Sequence, residues 1–147
     1  MISVIGTQYY DGEEETIELN TEAFYGLKDN LKFIKYNEID PDDSKRVTVN
    51  VIKLESENKI VLVKNDGVRF SQLVLEQGVR HQSLYSTPVG MLSIGVYTES
   101  IWHEVDETGG RIEIDYTIDF NSDVQSENHL DIILRKKGVV RDVENSD

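Results

Sequence analysis

The sequence contains no cysteine, which excludes disulfide bonds and thiolate metal sites and fits the reducing cytoplasm. It has two prolines and no apolar run close to the roughly 20 residues that a membrane-spanning helix needs. The first residues, MISVIGTQYYDGEEE, lack the basic region and the small-residue cleavage site of a secretory signal. We therefore expect a cytoplasmic protein without a membrane segment.

Basic residues are scarce: the chain has 15 Lys and Arg but 28 Asp and Glu, which gives a formal net charge of −13. Such a chain repels phosphate backbones and anionic lipids, so we expect neither nucleic acid nor membrane as a partner. The acid is concentrated over residues 99–131, where Arg111 is the only Lys or Arg, whereas residues 64–98 are close to neutral. The neutral belt is either the less charged side of an ordinary surface or a place for an anionic or polar ligand.

The residues that are present alternate between apolar and polar almost throughout, which is the pattern of half-buried β-strands. In RIEIDYTIDF, residues 111–120, the face with Ile112 and Ile114 is apolar and the face with Glu113, Asp115 and Asp119 is acidic. We expect the acidic face to be the outer surface of a sheet rather than a pair of catalytic carboxylates. The segment KIVLVKN, residues 59–65, is apolar on both faces, as in a strand enclosed on both sides.

Turn residues separate these runs at short intervals, as in YDGE, KDN, KNDG and ETGGR. About eight to ten antiparallel strands joined mostly by hairpins predict an all-β barrel or sandwich, with an up-and-down order favoured. EIDPDDSKR, around Pro41, is expected to be a longer loop, and NTEAFYGLK a strand edge rather than a helix. One domain would span residues 1–138, with a polar tail over 139–147. A barrel of this size is either filled by side chains or holds one small ligand.

Motifs for common chemistries are missing. There is no glycine-rich phosphate loop and no nucleophile elbow, and His81, His103 and His129 lack a spacing that would preset a metal site. The acidic segment DPDD, residues 40–43, lacks the glycine of a calcium loop. We expect no metal and no cofactor.

The most informative stretch is residues 67–98. On one strand face Gln72 lies among apolar residues, and His81 and Tyr85 share a face on the next strand. Polar groups in such places must bond to one another, to water or to a ligand. Thr87-Pro88-Val89-Gly90 is a turn with a stiff entry, because proline fixes its own backbone angle and Gly90 permits the reversal.

The order of residues in this stretch resembles the YwiB-like family of Gram-positive bacteria, which are small β-barrel proteins of unknown function. The resemblance rests on an ordered set and on the later strand GGRIEIDYTIDF: Gly67, Gln72, Gly78, Tyr85, Thr87, Pro88, Gly90, Leu92, Ile94 and Val96. It implies a single calycin-like (lipocalin-like) antiparallel barrel and supplies no catalytic residue.

Three hypotheses of function follow. The first is a non-enzymatic binder of a small amphipathic or weakly anionic ligand held in the barrel. Its candidate contacts are Arg69, Phe70, Gln72, Arg80, His81, Tyr85 and Tyr97. The second is a structural or interaction protein with a filled barrel that dimerises or docks a protein partner through an exposed edge or aromatic patch. The third is an enzyme, such as a hydrolase with His81 as its base.

Overall fold

The computed structural model describes residues 1–87 and 90–136, and the side chains of all of these except 85–87. The described residues form eleven β-strands and no helix: β1 Ile2–Tyr10, β2 Glu13–Thr21, β3 Ala23–Lys28, β4 Leu31–Asp40, β5 Asp43–Ser56, β6 Lys59–Asn65, β7 Phe70–Glu76, β8 Arg80–Thr87, β9 Gly90–Asp106, β10 Gly109–Phe120 and β11 Asp123–Arg135. The all-β prediction is confirmed, with one strand more than the upper end of the predicted range.

The strands make two antiparallel sheets. The six-stranded sheet has the order β2-β1-β11-β10-β9-β8, and the five-stranded sheet has the order β3-β4-β5-β6-β7. Neighbours in the sheets are also neighbours in the chain, as the predicted up-and-down order requires, except that β11 returns to pair with β1. In the described part of the chain β2 has a ladder only with β1 and β3 only with β4. The two sheets are therefore not joined into the one continuous sheet that a single closed barrel requires.

One hydrophobic core lies between the two sheets. Ile34 and Ile52 of the five-stranded sheet belong to the same buried cluster as Ile112 and Ile132 of the six-stranded sheet. Each strand alternates inward and outward side chains, so the apolar face of β10 enters this core and Glu113 and its acidic neighbours lie on the outer surface. Glu113 and Asp115 are placed as the alternation predicts, whereas Asp119, after a shift in strand register, is 8% exposed.

The turns follow the Asn, Asp and Gly residues that the sequence displays. Asp11, Asp29 and Asn30 adopt positive φ between consecutive strands. The expectation of a long loop around Pro41 is wrong, because β4 ends at Asp40 and β5 begins at Asp43. Asp40 closes this hairpin by accepting the N–H of Asp42 at 2.8 Å, and proline suits the first central position of such a turn.

The chain passes between the sheets twice, at Glu22 between β2 and β3 and over 77–79 between β7 and β8. Gly78 N–H donates to the Thr98 carbonyl at 2.8 Å, and Gln77 N–H donates to the Asn58 carbonyl at 2.9 Å. These bonds link the end of β7 to β9 and to the β5–β6 turn. Pro88, Val89 and the predicted tail 139–147 lie outside the described residues. The described chain contains no helix long and apolar enough to span a membrane.

Candidate functional site

A cavity of about 640 Å³ lies between the two sheets. Its lining comes from both sheets and runs from buried side chains, such as Ile52, Ile94 and Ile132, to exposed ones, such as Gln8 and Tyr10. The lining mixes apolar side chains with buried polar ones such as Asn50 and Ser126, so the space is an amphipathic pocket that opens to solvent. Its volume is in the range of small-molecule sites in proteins.

One polar wall of the cavity is built by β4, β5 and β6. Asn50 is 3% exposed, and its side-chain amide donates to Oε1 of Glu38 at 2.9 Å. The ammonium of Lys64 donates to the same carboxylate oxygen at 3.2 Å. The Glu38 charge is thereby balanced inside the wall, and the amide oxygen of Asn50 stays available as an acceptor.

Tyr36 lines the cavity beside this wall. Burial raises the pKa of its phenol well above the ordinary value of 10.0, and the Glu38 carboxylate adds to the rise. Tyr36 therefore stays protonated at every physiological pH, and the hydroxyl can donate as well as accept a hydrogen bond.

A second polar group lies across the cavity on β11. Asn128 donates from its amide nitrogen to Ser126 Oγ at 3.1 Å and to the Tyr116 carbonyl at 3.4 Å, and Ser126 is 4% exposed. His129 borders the cavity, but alternation turns its ring to the outer face, where Nδ1 lies 2.8 Å from Oδ1 of Asp115. The polar groups that line the cavity are thus mainly amides and hydroxyls, together with Lys64, which is paired with Glu38, and the carboxylate of Glu15 on β2.

Among the residues that the sequence suggested as ligand contacts, those whose side chains are described do not line this cavity. Phe70 is 52% exposed, and Phe70 and Gln72 both lie on the outer face of β7. Arg69 precedes β7 in a loop where its backbone N–H donates to Asp66 Oδ1 at 2.7 Å. Because both faces of the β7 segment carry apolar residues, alternation could not show that Leu73 and Leu75, rather than Phe70 and Gln72, point inward.

Three more of the suggested contacts also lie away from the cavity: Arg80, Tyr97 and His81. Arg80 makes a two-pronged ion pair with Asp119 on the outer face, with N–O distances of 2.9 and 2.7 Å, and Tyr97 is the cross-strand neighbour of Arg80. His81 Nε2 lies 2.8 Å from Glu76 Oε1 next to the β7–β8 turn. None of these three residues lines the cavity. The backbone of Tyr85 pairs with Leu92 in β8, and its side chain is outside the described atoms.

The polar residues that do line the cavity were not singled out from the sequence. The sequence could have indicated Asn50, because this residue shares a strand face with Ile52 and Leu54, which are buried. In RVTVNVIKL the opposite face carries Val47, Val49 and Val51, and this run of valines suggests that their face, rather than the face with Asn50, is the interior. Polar pairs such as Asn50 with Glu38 depend on registers between strands, which one sequence does not reveal.

The described residues contain no group of three or more His, Cys, Asp or Glu side chains arranged to hold a metal ion.

Comparison with known proteins adds the family. Residues 2–132 match the model of a domain of unknown function, DUF1934. The chain is 32% identical over 106 residues to the uncharacterized beta-barrel protein YwiB of Bacillus subtilis (strain 168), an alignment that spans 72% of this chain and 71% of that protein.

The fold is similar to a solved structure as well. The crystal structure of the ywiB protein from Bacillus subtilis superposes with a TM-score of 0.79 at 24% sequence identity, over 92% of this chain and 89% of that one. The resemblance expected from residues 67–96 is thereby confirmed at the level of family and fold.

Proposed function

The chain belongs to the DUF1934 family of unknown function, and from its geometry we propose that it is a non-enzymatic protein that binds a small amphipathic ligand between its two sheets. The observation that carries this proposal is the cavity of about 640 Å³, which is lined by both apolar side chains and polar groups from the two sheets. An interior filled by side chains would leave no such space, so the cavity favours a binder over the alternative of a filled structural barrel.

We propose further that the two sheets act as one calycin-like barrel. Supporting this, Ile34 and Ile112 from opposite sheets share a core, and an isolated bridge between Gln77 and Thr98 links the end of β7 to β9. The remaining seam, between β2 and the five-stranded sheet, lies beside cavity residues such as Ile17, which is 65% exposed. This seam is a natural entry for a ligand.

The polar wall bears on the character of the ligand. Lys64 is the cation of the lining, and its charge is balanced by Glu38 at 3.2 Å. Tyr36 and Asn50 offer neutral donors and acceptors. A neutral molecule with an apolar body and a hydroxyl or amide group fits best, and a weak anion would have to compete with Glu38 for Lys64.

Gly6 provides a clean test of the cavity. An added Cβ at Gly6 would point into the cavity, with Leu130 Cδ1 as its nearest neighbour at 3.9 Å, so Gly6→Ile should be accommodated by filling the space. Isoleucine also suits a strand better than glycine. We expect wild type to bind the neutral amphipathic dye N-phenylnaphthylamine with enhanced fluorescence, and Gly6→Ile to bind it about tenfold more weakly or worse.

The matched control is Thr16→Ile on the outer face of β2, which adds apolar surface outside the cavity. Circular dichroism and thermal unfolding establish that both variants are folded. Equal dye binding by wild type and Gly6→Ile, or no binding by a wild-type protein stripped of bound lipids, would contradict the proposal.

A further inference from the structure

The outer face of the five-stranded sheet is unusually apolar. Its central outward side chains form a continuous patch across β5, β6 and β7, here called the valine face: Val49, Val51, Val61, Val63 and Val74. Val61 is 4% exposed and the other four valines are half-buried, so the patch presents part of its apolar surface to solvent. Apolar outer patches of this kind mark interaction sites in soluble proteins.

Two lysines lie within this apolar region. Lys35 is the cross-strand neighbour of Val51, and Lys53 is the neighbour of Val61. In the described part of the chain neither ammonium has an ion-pair partner. The outward positions of β4 and β7 that flank the valine face hold Phe33, Asn37, Ile39, Phe70 and Gln72, and the acid on this face of β7, Glu76, lies at the end of the strand against His81. Outward acids on this sheet, such as Asp43 and Glu55, lie at strand ends.

The opposite surface of the molecule has the reverse charge. The outward positions of the six-stranded sheet carry carboxylates on β2, β10 and β11: Glu14, Glu18, Glu113, Asp115, Glu127 and Asp131. Arg111 pairs with two of them, Glu113 and Asp131. The net charge of −13 is therefore concentrated away from the valine face. The two outer faces therefore differ in the sign of their charge and in how apolar they are.

We propose that the valine face docks an acidic protein partner that presents aliphatic or aromatic side chains. Covering the valines removes apolar surface from water, which supplies affinity, and partner carboxylates pair with Lys35 and Lys53 at the edge of the contact. A symmetric dimer through this face would bring like-charged lysines together. Nucleic acid is disfavoured, because valines offer no ring for base stacking and the whole chain repels phosphate.

Nuclear magnetic resonance with two peptide probes tests this inference. One probe is a short peptide that alternates glutamate with valine, and the other replaces its glutamates with lysine. We expect the acidic probe to shift backbone amides of residues 49–53, 61–63 and 72–74, and the basic probe to leave those amides unchanged.

Charge reversal supplies the matched variants. Lys53→Glu should weaken binding of the acidic probe about tenfold. Lys136→Glu makes the same change of charge outside the valine face and should leave binding unchanged. Val74→Thr, which lies outside the cavity lining, keeps the β-branched shape that the strand requires while adding a hydroxyl, and it should also weaken binding. The amide spectrum of each free variant reports whether it is folded.

Several results would overturn the inference. They are the absence of shifts with the acidic probe, shifts confined to the six-stranded sheet, or equal effects of Lys53→Glu and Lys136→Glu. Shifts of the valine face that depend on protein concentration alone would assign it to self-association. Shifts of the same amides by a DNA oligonucleotide would assign it to nucleic acid.

Discussion

Arg80 shows how a residue that looks functional in the sequence can have a structural task. Its guanidinium crosses the backbone at Gly95 to reach Asp119, and a side chain at Gly95 would overlap it. Asp119 also accepts the Ser122 N–H at 3.1 Å, so the pair fixes the β10–β11 turn. The positive charge assigned to a ligand from the sequence is used to hold β8 against β10.

The pair predicts a pH-dependent loss in Arg80→Met. The Arg80 hydrogen bonds lower the pKa of Asp119 below its ordinary value of 3.8, so ionised Asp119 stabilises the fold above that value. This contribution is lost as the pH falls below 3.8 through the folded-state pKa. Urea unfolding of Arg80→Met should therefore have a lower midpoint than wild type at neutral pH, and the gap should close in acid.

Lys53→Met removes one positive charge without breaking a described ion pair, and it controls for the change of net charge. The difference in urea midpoint between Lys53→Met and wild type should not shrink in acid as the difference for Arg80→Met does. A gap for Arg80→Met that stays constant below pH 3.8 would show that Asp119 is not the group responsible.

Gly110 is a second residue whose identity the backbone dictates. Its φ is +153°, and a methyl group there would overlap the Glu104 carbonyl oxygen of the neighbouring strand. Gly110→Ala should lower the free energy of unfolding by about 2–3 kcal/mol, measured by urea denaturation. Gly6→Ala is the control, because its Cβ meets only Leu130 at 3.9 Å and should change stability by less than about 1 kcal/mol. Equal losses in the two variants would contradict this account.

At the scale of elements, alternation predicts a strand better than it predicts the buried side of that strand. Over the first half of β10 the two faces differ sharply, and the apolar face is inside. For β5 the valines suggest one interior face, yet Asn50, Ile52 and Leu54 are buried on the other. The core accepts Asn50 because Glu38 bonds to it, and the valines remain outside as the valine face. The sequence of β5 alone shows neither the bond between Asn50 and Glu38 nor the outward position of the valines.

Edge strand β2 carries an element-scale prediction. It lies at the edge of the six-stranded sheet and bears outward Glu14 and Glu18, and charge on an edge strand discourages pairing with another chain. The double variant Glu14→Val/Glu18→Val should associate as its concentration rises, as measured by size-exclusion chromatography with light scattering.

The control makes the same change of charge on strands that are paired on both sides, with Glu113→Val/Glu127→Val on β10 and β11. This control should associate less than the β2 variant. If both associate equally, exposed valine rather than the free edge is responsible.

For the whole molecule, composition and turn chemistry were enough to predict an all-β meander, because short hairpins leave few alternatives. They could not show where the meander divides into two sheets. That division depends on the corners at Glu22 and Gly78, where one sheet ends and the next begins. The cavity is likewise a property of the assembled sheets, since side chains from both of them line it.

The central claim is that this interior holds a small amphipathic molecule. Native mass spectrometry of the protein purified from its own host, beside Gly6→Ile prepared in the same way, tests it most directly. We predict that wild type retains a small molecule whose mass is absent from the Gly6→Ile spectrum. A wild-type protein with only its apo mass, or an identical adduct on both proteins, would contradict the claim.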